Sequence, residues 1–163
     1  MGSGKSTIAR LLAKKLQISW KDLDEMIEND AKMTINAIFE NKGELHFRKK
    51  EHQIFKQLMS SEKSFVLSLG GGTPCYANNH EFLNGPSIVS FYLKTPIEIL
   101  SERLINEKAT RPLIANKNVQ ELKDFIAQHI FERSYYYHKA THIIDVGEKS
   151  PEEVVATIAL GLI

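Results

Sequence analysis

A chain of 163 residues, 42% hydrophobic and 25% charged, is long enough for one domain to bury a core without disulfides or a structural metal. Its 21 Lys and Arg nearly cancel its 20 Asp and Glu, which excludes a bulk field favouring nucleic acid or an anionic membrane; any bound anion must be held by local placement of groups. The single cysteine, Cys75, excludes an internal disulfide, and no run is apolar enough for a membrane span or a signal peptide, so the expected compartment is the reducing cytoplasm.

The chain opens on Met1-Gly2-Ser3-Gly4-Lys5-Ser6-Thr7, the Gly-Lys-Ser end of a Walker A phosphate loop, and passes at once into a helical pattern with Ile8, Leu11, Leu12 and Leu16 on one face. Glycines let successive backbone N–H groups surround a phosphate, and the helix start adds free N–H groups and the positive end of its dipole. Lys5 is placed to reach the β- and γ-phosphates of ATP, and Ser6 to ligate Mg²⁺. The full pattern asks for another glycine and a hydrophobic strand, both upstream of Met1, so the sequence is expected to be truncated or to start at an internal methionine. The bland alternative, a Gly-Ser cloning scar, does not predict Lys-Ser-Thr running into a periodic helix.

Ile18 to Trp20 reads as a short strand leading into Asp22-Leu23-Asp24. In extended backbone, residues i and i+2 face the same way, so the two carboxylates are expected to project together from a strand's carboxyl end, Asp22 toward Mg²⁺ and Asp24 toward an acceptor hydroxyl. Asp-x-Asp-Glu could equally mark only a turn and an acidic helix start. Thr34 to Glu40 reads as a short helix and Glu44 to Met59 as a longer one, with Phe47, Ile54, Phe55 and Leu58 inward and Arg48 roughly 100° round from Phe47. Phe65 to Leu69 is a strand stopping at Gly70-Gly71-Gly72, glycines that suit either a mobile turn or a ligand approaching the main chain.

Ile88 to Leu93 is a further strand. Thr95-Pro96-Ile97-Glu98 reads as a capping box with Pro at the first helical position, and Ser150-Pro151-Glu152-Glu153 repeats that grammar before the last helix. The polar stretch 106–118, which carries Arg111, has no clear period and is a candidate lid. His142 to Val146 is the final strand. Strands alternating with helices imply an α/β fold, a parallel sheet with helices on both faces. Arg48, Arg111 and Arg133 each suit a carboxylate or phosphate through the planar guanidinium fork, although each taken alone reads first as a solvated surface arginine. His46, His52, His80, His129, His138 and His142 lack metal-ligand spacing, and Tyr135-Tyr136-Tyr137 reads as helix packing.

Taken together these residues resemble the shikimate kinase family. Met1 to Thr7 matches its loop; Asp22, Asp24, Ile27 and Glu28 match Asp-x-Asp-x-x-Ile-Glu; Ile35, Ile38 and Phe39 match Ile-x-x-Ile-Phe. Gly43, Glu44, Phe47, Arg48 and Glu51 match Gly-Glu-x-x-Phe-Arg-x-x-Glu, the most specific block. Leu69 to Gly72, Arg111 to Leu113, and Arg133 with Tyr137 complete the order across nearly the whole chain.

The resemblance implies an ATP- and Mg²⁺-dependent kinase that phosphorylates the 3-hydroxyl of shikimate. Its fold would be a five-stranded parallel P-loop sheet of the nucleoside-monophosphate-kinase type, with the first strand apparently missing. It implies nucleotide contacts from Gly2, Ser3, Gly4, Lys5, Ser6, Thr7, Arg103 and Arg111, with Arg103 on the adenine side. Substrate contacts would come from Asp24, Arg48, Gly70, Gly71, Gly72 and Arg133, and metal contacts from Ser6 and Asp22. Lys5, Asp24 and Arg111 are the implied catalytic groups. The expected organisation is one domain over 1–163, with a substrate-binding segment about 24–59 and a lid about 106–118, acting as a monomer on a small molecule without nucleic acid or membrane. A gluconate-kinase-like enzyme, a nucleoside monophosphate kinase and a non-catalytic nucleotide-binding descendant are the alternatives.

Overall fold

The computed structural model describes residues 2–106 and 114–162. The first helix, α1 (Lys5–Leu16), buries Ile8, Ala9, Leu12 and Ala13 but leaves Leu16 exposed, so its apolar face ends one turn earlier than the periodicity predicts. The strand β1 (Ser19–Asp22) runs directly into α2 (Leu23–Ala31). Next comes α3 (Ile35–Met59), whose N-terminus is capped by Thr34 Oγ1 accepting from the Ala37 N–H at 3.2 Å. It breaks at Gly43 (φ 79°, ψ 168°), so the two expected helices form as one kinked run.

After β2 (Phe65–Ser68), two 3-10 segments lead to β3 (Phe91–Lys94). This strand is shorter than Ile88 to Leu93 because Ile88 closes a turn, donating its N–H to the Gly85 carbonyl at 3.0 Å. Then follow α4 (Ile97–Ile105), α5 (Val119–Tyr137), β4 (His142–Asp145) and α6 (Pro151–Leu160). The predicted box at α6 forms in full, with Ser150 and Glu153 reciprocally bonded and Pro151 in the first turn. At α4 it does not. Pro96 itself takes the N-cap position, one residue later than predicted, and Thr95 Oγ1 is buried without a hydrogen-bond partner among the described residues.

The sheet pairs are parallel, β1 with β2 (Ser19 opposite Phe65) and β3 with β4 (Phe91 opposite His142). Side chains alternate across β2 with period two: Val66 packs on the cluster of Ile8, Leu12, Val154 and Ile158 from α1 and α6. Phe65 and Leu67 pack on that of Leu23, Ile27, Ile38 and Phe55 from α2 and α3. Helices therefore cover both faces, as an α/β layering requires. A third cluster joins Leu100 and Leu104 of α4 to Ile114, Leu122 and Ile126.

The four strands the sequence locates all form, but as two pairs. Among the described residues neither β2 nor β3 has a second strand partner, and between them runs an apolar slot of about 550 Å³ lined by Ile8, Leu12, Val66, Leu93 and Ile126. The carboxyl ends of the parallel strands, at Asp22 and Ser68, lie beside the loop that opens α1, the end of an open α/β sheet where ligands bind. Among the described residues no helix is long and apolar enough to cross a membrane.

Candidate active site

The phosphate loop is held from both sides. Gly4 caps α1 in the left-handed region (φ 81°), and its carbonyl accepts the Ile8 N–H at 3.0 Å. Arg103, in the last turn of α4, donates to the Gly2 carbonyl at 3.4 Å. The unused N–H groups of the first helical turn and its positive dipole end suit a phosphate. A cavity of about 470 Å³ opens here, lined by Gly2 to Thr7, Asp22 and Asp24, Gly70 and Gly71, Arg103 and Arg133. The structure thus brings most of the sequence-predicted site residues into one space.

The two aspartates share that space by a different geometry from the one expected. Only Asp22 is extended (φ −117°, ψ 124°); it is the N-cap of α2, and Asp24 already lies in the first helical turn. They meet because Asp22 Oδ1 accepts the Asp24 N–H at 3.0 Å, a capping contact rather than a shared strand face. Asp22 Oδ2 accepts from Ser6 Oγ at 2.8 Å, and Ser6 Oγ also lies 3.3 Å from Ser68 Oγ. A hydroxyl and a carboxylate, both hard oxygen donors beside a phosphate-binding loop, fit Mg²⁺, which takes one or two protein ligands and completes its shell with water and phosphate.

Asp24 is mostly buried. Burial, followed by the charges of Asp22 and Glu51, pushes its carboxyl up to about 6, against a smaller opposing pull from Lys5. That range suits a group that must accept a proton near neutral pH.

Arg48 is fixed by a buried network. Its Nη1 donates to Glu51 Oε2 at 2.8 Å and its Nε to Glu44 Oε1 at 3.4 Å. Glu51 is 1% exposed, and its second oxygen accepts from Thr73 Oγ1 at 2.7 Å. Burial works against the Arg48 charge, but the Glu51 hydrogen bond and carboxylate leave the guanidinium above its ordinary value. It is permanently charged.

The triple glycine has a reason that the sequence did not reveal. A Cβ on Gly72 would lie 2.7 Å from Arg48 Nη2, and one on Gly70 would lie 3.0 Å from Asp24 Oδ1. These positions keep side chains away so that the site's own arginine and aspartate can lie against the main chain. Glu51→Ala strips Arg48 and Thr73 of their common partner; we expect it to destabilise the fold by about 3 kcal/mol, read as a lower denaturant midpoint at unchanged slope. A stability within about 0.5 kcal/mol of the parent would show that the network carries no load.

Arg133, one turn before the end of α5, lies beside Tyr137 and in range of Cys75 and Tyr76, which also feel Arg48. The Tyr137 hydroxyl donates to the Gly71 carbonyl at 2.8 Å. The tyrosine run therefore does more than pack a helix, since its last member ties α5 to the glycine turn. Ser68, Thr73 and Lys149 border the site and have no signal in the sequence, whereas Tyr137 is matched with Arg133, four residues and one helical turn away, but given no role in the site. Arg111 and most of the expected lid lie outside the described residues. Within the later part of the expected lid segment, Ile114 is fully buried and Asn118 caps α5 in a box with Glu121.

The shikimate kinase family model matches residues 1–162. A shikimate kinase from Flavobacterium johnsoniae is 50% identical over 158 residues, covering 97% of this chain and 92% of the relative. One from Flavobacterium psychrophilum is 47% identical with the same coverage of both chains. Among solved structures, shikimate kinase from Bacteroides thetaiotaomicron superposes with a TM-score of 0.89 at 30% identity, covering 99% of this chain and 93% of that one. Shikimate kinase from Acinetobacter baumannii in complex with shikimate gives 0.86 at 34% identity, covering 99% and 88%.

Proposed function

The chain belongs to the shikimate kinase family, and we propose that it transfers the γ-phosphoryl group of ATP to the 3-hydroxyl of shikimate through the residues gathered at the strand ends. The observation that carries this reading is that Asp24, at the start of α2, and Arg48, on α3, both lie against the same short turn, Gly70 to Gly72, with Lys5 in electrostatic range of Asp24. A proton acceptor and a fixed cation stand on one wall, and a phosphate loop on the other. That arrangement suits a small acid bearing a hydroxyl.

In this reading Arg48, Arg133 and the backbone of Gly71 hold the carboxylate, and Gly70 and Gly72 leave the room. Asp24 accepts the hydroxyl proton as the oxygen–phosphorus bond forms and the bond to the ADP leaving oxygen breaks. Lys5 and the loop amides hold the β- and γ-phosphates in line with that oxygen, so catalysis rests on alignment and charge neutralisation. Ser6 and Asp22 would hold Mg²⁺, which supplies charge compensation on the phosphates. Arg103 is assigned to the nucleotide side and Arg111 to the transferred group, within a lid that excludes water over 106–118. One domain, a monomer in the cytoplasm, completes the proposal; balanced charge and a single cysteine support it.

The test is a coupled ADP-release assay across shikimate, gluconate and the common nucleoside monophosphates. We expect ADP release that depends on shikimate, with the other acceptors giving no more than the rate of ATP alone. Turnover that favours gluconate or a nucleotide would overturn the assignment.

A further inference from the structure

The Arg48 guanidinium has an outer wall. The Tyr76 ring lies 3.9 Å from Arg48 Cζ, and its hydroxyl donates to Glu44 Oε1 at 3.0 Å, the same oxygen that accepts from Arg48 Nε. With Nη1 committed to Glu51 and Nε to Glu44, Nη2 is the corner without a hydrogen-bond partner among the described residues, and it lies against Gly72. Tyr76 is 38% exposed, so burial alone does not dictate its place.

The backbone goes to some trouble to put it there. The next two residues, Ala77 and Asn78, have φ of 50° and 56°, in the left-handed region that side chains disfavour. Asn79 secures the bend. It is 1% exposed, donates Nδ2 to the Thr73 carbonyl at 2.9 Å, pairs Oδ1 with His52 Nδ1 at 2.7 Å, and returns its N–H to the Tyr76 carbonyl at 3.0 Å. The same Thr73 bonds Glu51. One buried network therefore sets both the floor and the outer wall of the arginine.

We propose that Tyr76 is a positioning residue for the acid substrate, the face of its ring holding the Arg48 guanidinium flat so that Nη2 stays presented to a carboxylate. This deepens the proposed function and rests on it. A stacked arginine surrenders less freedom when the acid arrives, so the ring acts on binding of the acid, not on the nucleotide or on the transfer step.

The experiment is steady-state kinetics and thermal melts on the parent, Tyr76→Phe, Tyr76→Leu and Tyr76→Ala. Expected are a rise of about fivefold or more in KM for shikimate for both Ala and Leu, with kcat and KM for ATP within about twofold. Tyr76→Phe, which keeps the π face, stays within about twofold of the parent throughout. Leu fills the space without a π face and covers the case in which Ala unsettles the turn. An unmoved shikimate KM in Ala and Leu overturns the proposal. So does a Phe variant no better than Leu, or a joint loss of kcat, both KM values and melting temperature, which would mark a merely structural turn. If the parent itself shows no shikimate-dependent ADP release, the proposed function falls and this inference with it; a parent that turns over while Ala and Leu leave KM unmoved sinks the Tyr76 inference alone.

Discussion

Replacing Asp24 with Asn is expected to cut kcat by about a hundred- to ten-thousandfold and, at pH 7, to make the fold more stable. The two effects have one cause. Burial and the nearby carboxylates of Asp22 and Glu51 raise the Asp24 carboxyl from 3.8 to about 6, so the native state holds this proton more tightly than the unfolded chain does. For a carboxyl raised in this way, the stabilising contribution is fully present below the unfolded value and is lost as pH climbs through about 6. At pH 7 the parent therefore carries an ionised, partly desolvated carboxylate at a cost of about 3 kcal/mol, which the neutral amide escapes.

Melting curves from pH 4 to 8 should show the Asn variant gaining on the parent as pH rises, with the difference levelling off above about 7. The parent's kcat/KM should fall below about pH 6 as its base becomes protonated. An Asn variant that retains a tenth of the parent's kcat, or that melts below it at pH 7, would remove Asp24 from the role of proton acceptor.

Lys5→Ala is expected to lower kcat/KM by about a hundred- to thousandfold while leaving the fold intact, because the lost group supplies charge at the transferred phosphate. A second consequence distinguishes this from simple loss of nucleotide affinity. Lys5 pulls the Asp24 carboxyl downward, so its removal shifts the acid limb of the residual pH–rate profile to higher pH. Saturating ATP should not restore kcat. Full recovery at high ATP with an unshifted limb would reduce Lys5 to a ground-state binding contact.

What could be read from the residues alone was what is local in sequence. The phosphate loop, the α6 capping box and the two-part α3 each depend on neighbours within a few positions, and each formed as its pattern required. The aspartate pair was legible as a pair but not as a geometry, since nothing in Asp22-Leu23-Asp24 says whether the strand ends before or after it. The capping preference of Asp22 decided the matter.

Glu51 was matched as a motif residue, but its role was hidden for a different reason. Beside Arg48, Lys49 and Lys50 on an amphipathic helix it looks like one more solvated charge, and only the arrival of Thr73 from after β2 makes it a buried acceptor. The pairing of strands into β1–β2 and β3–β4 lies similarly beyond local pattern, because parallel partners come from distant segments and each of these four strands is four residues long.

The division of labour between Asp24 at the hydroxyl and Arg48 with Arg133 at the carboxylate is tested most directly by comparing shikimate with its methyl ester as acceptor in the ADP-release assay. The ester keeps the hydroxyl and abolishes the charge. KM should rise by about a hundredfold or more, since the ester removes the charge that the Arg48 and Arg133 guanidinium groups would bind, while the free acid turns over normally. Equal KM values for acid and ester would contradict the account, because the arginines would then be holding something other than the substrate's carboxylate.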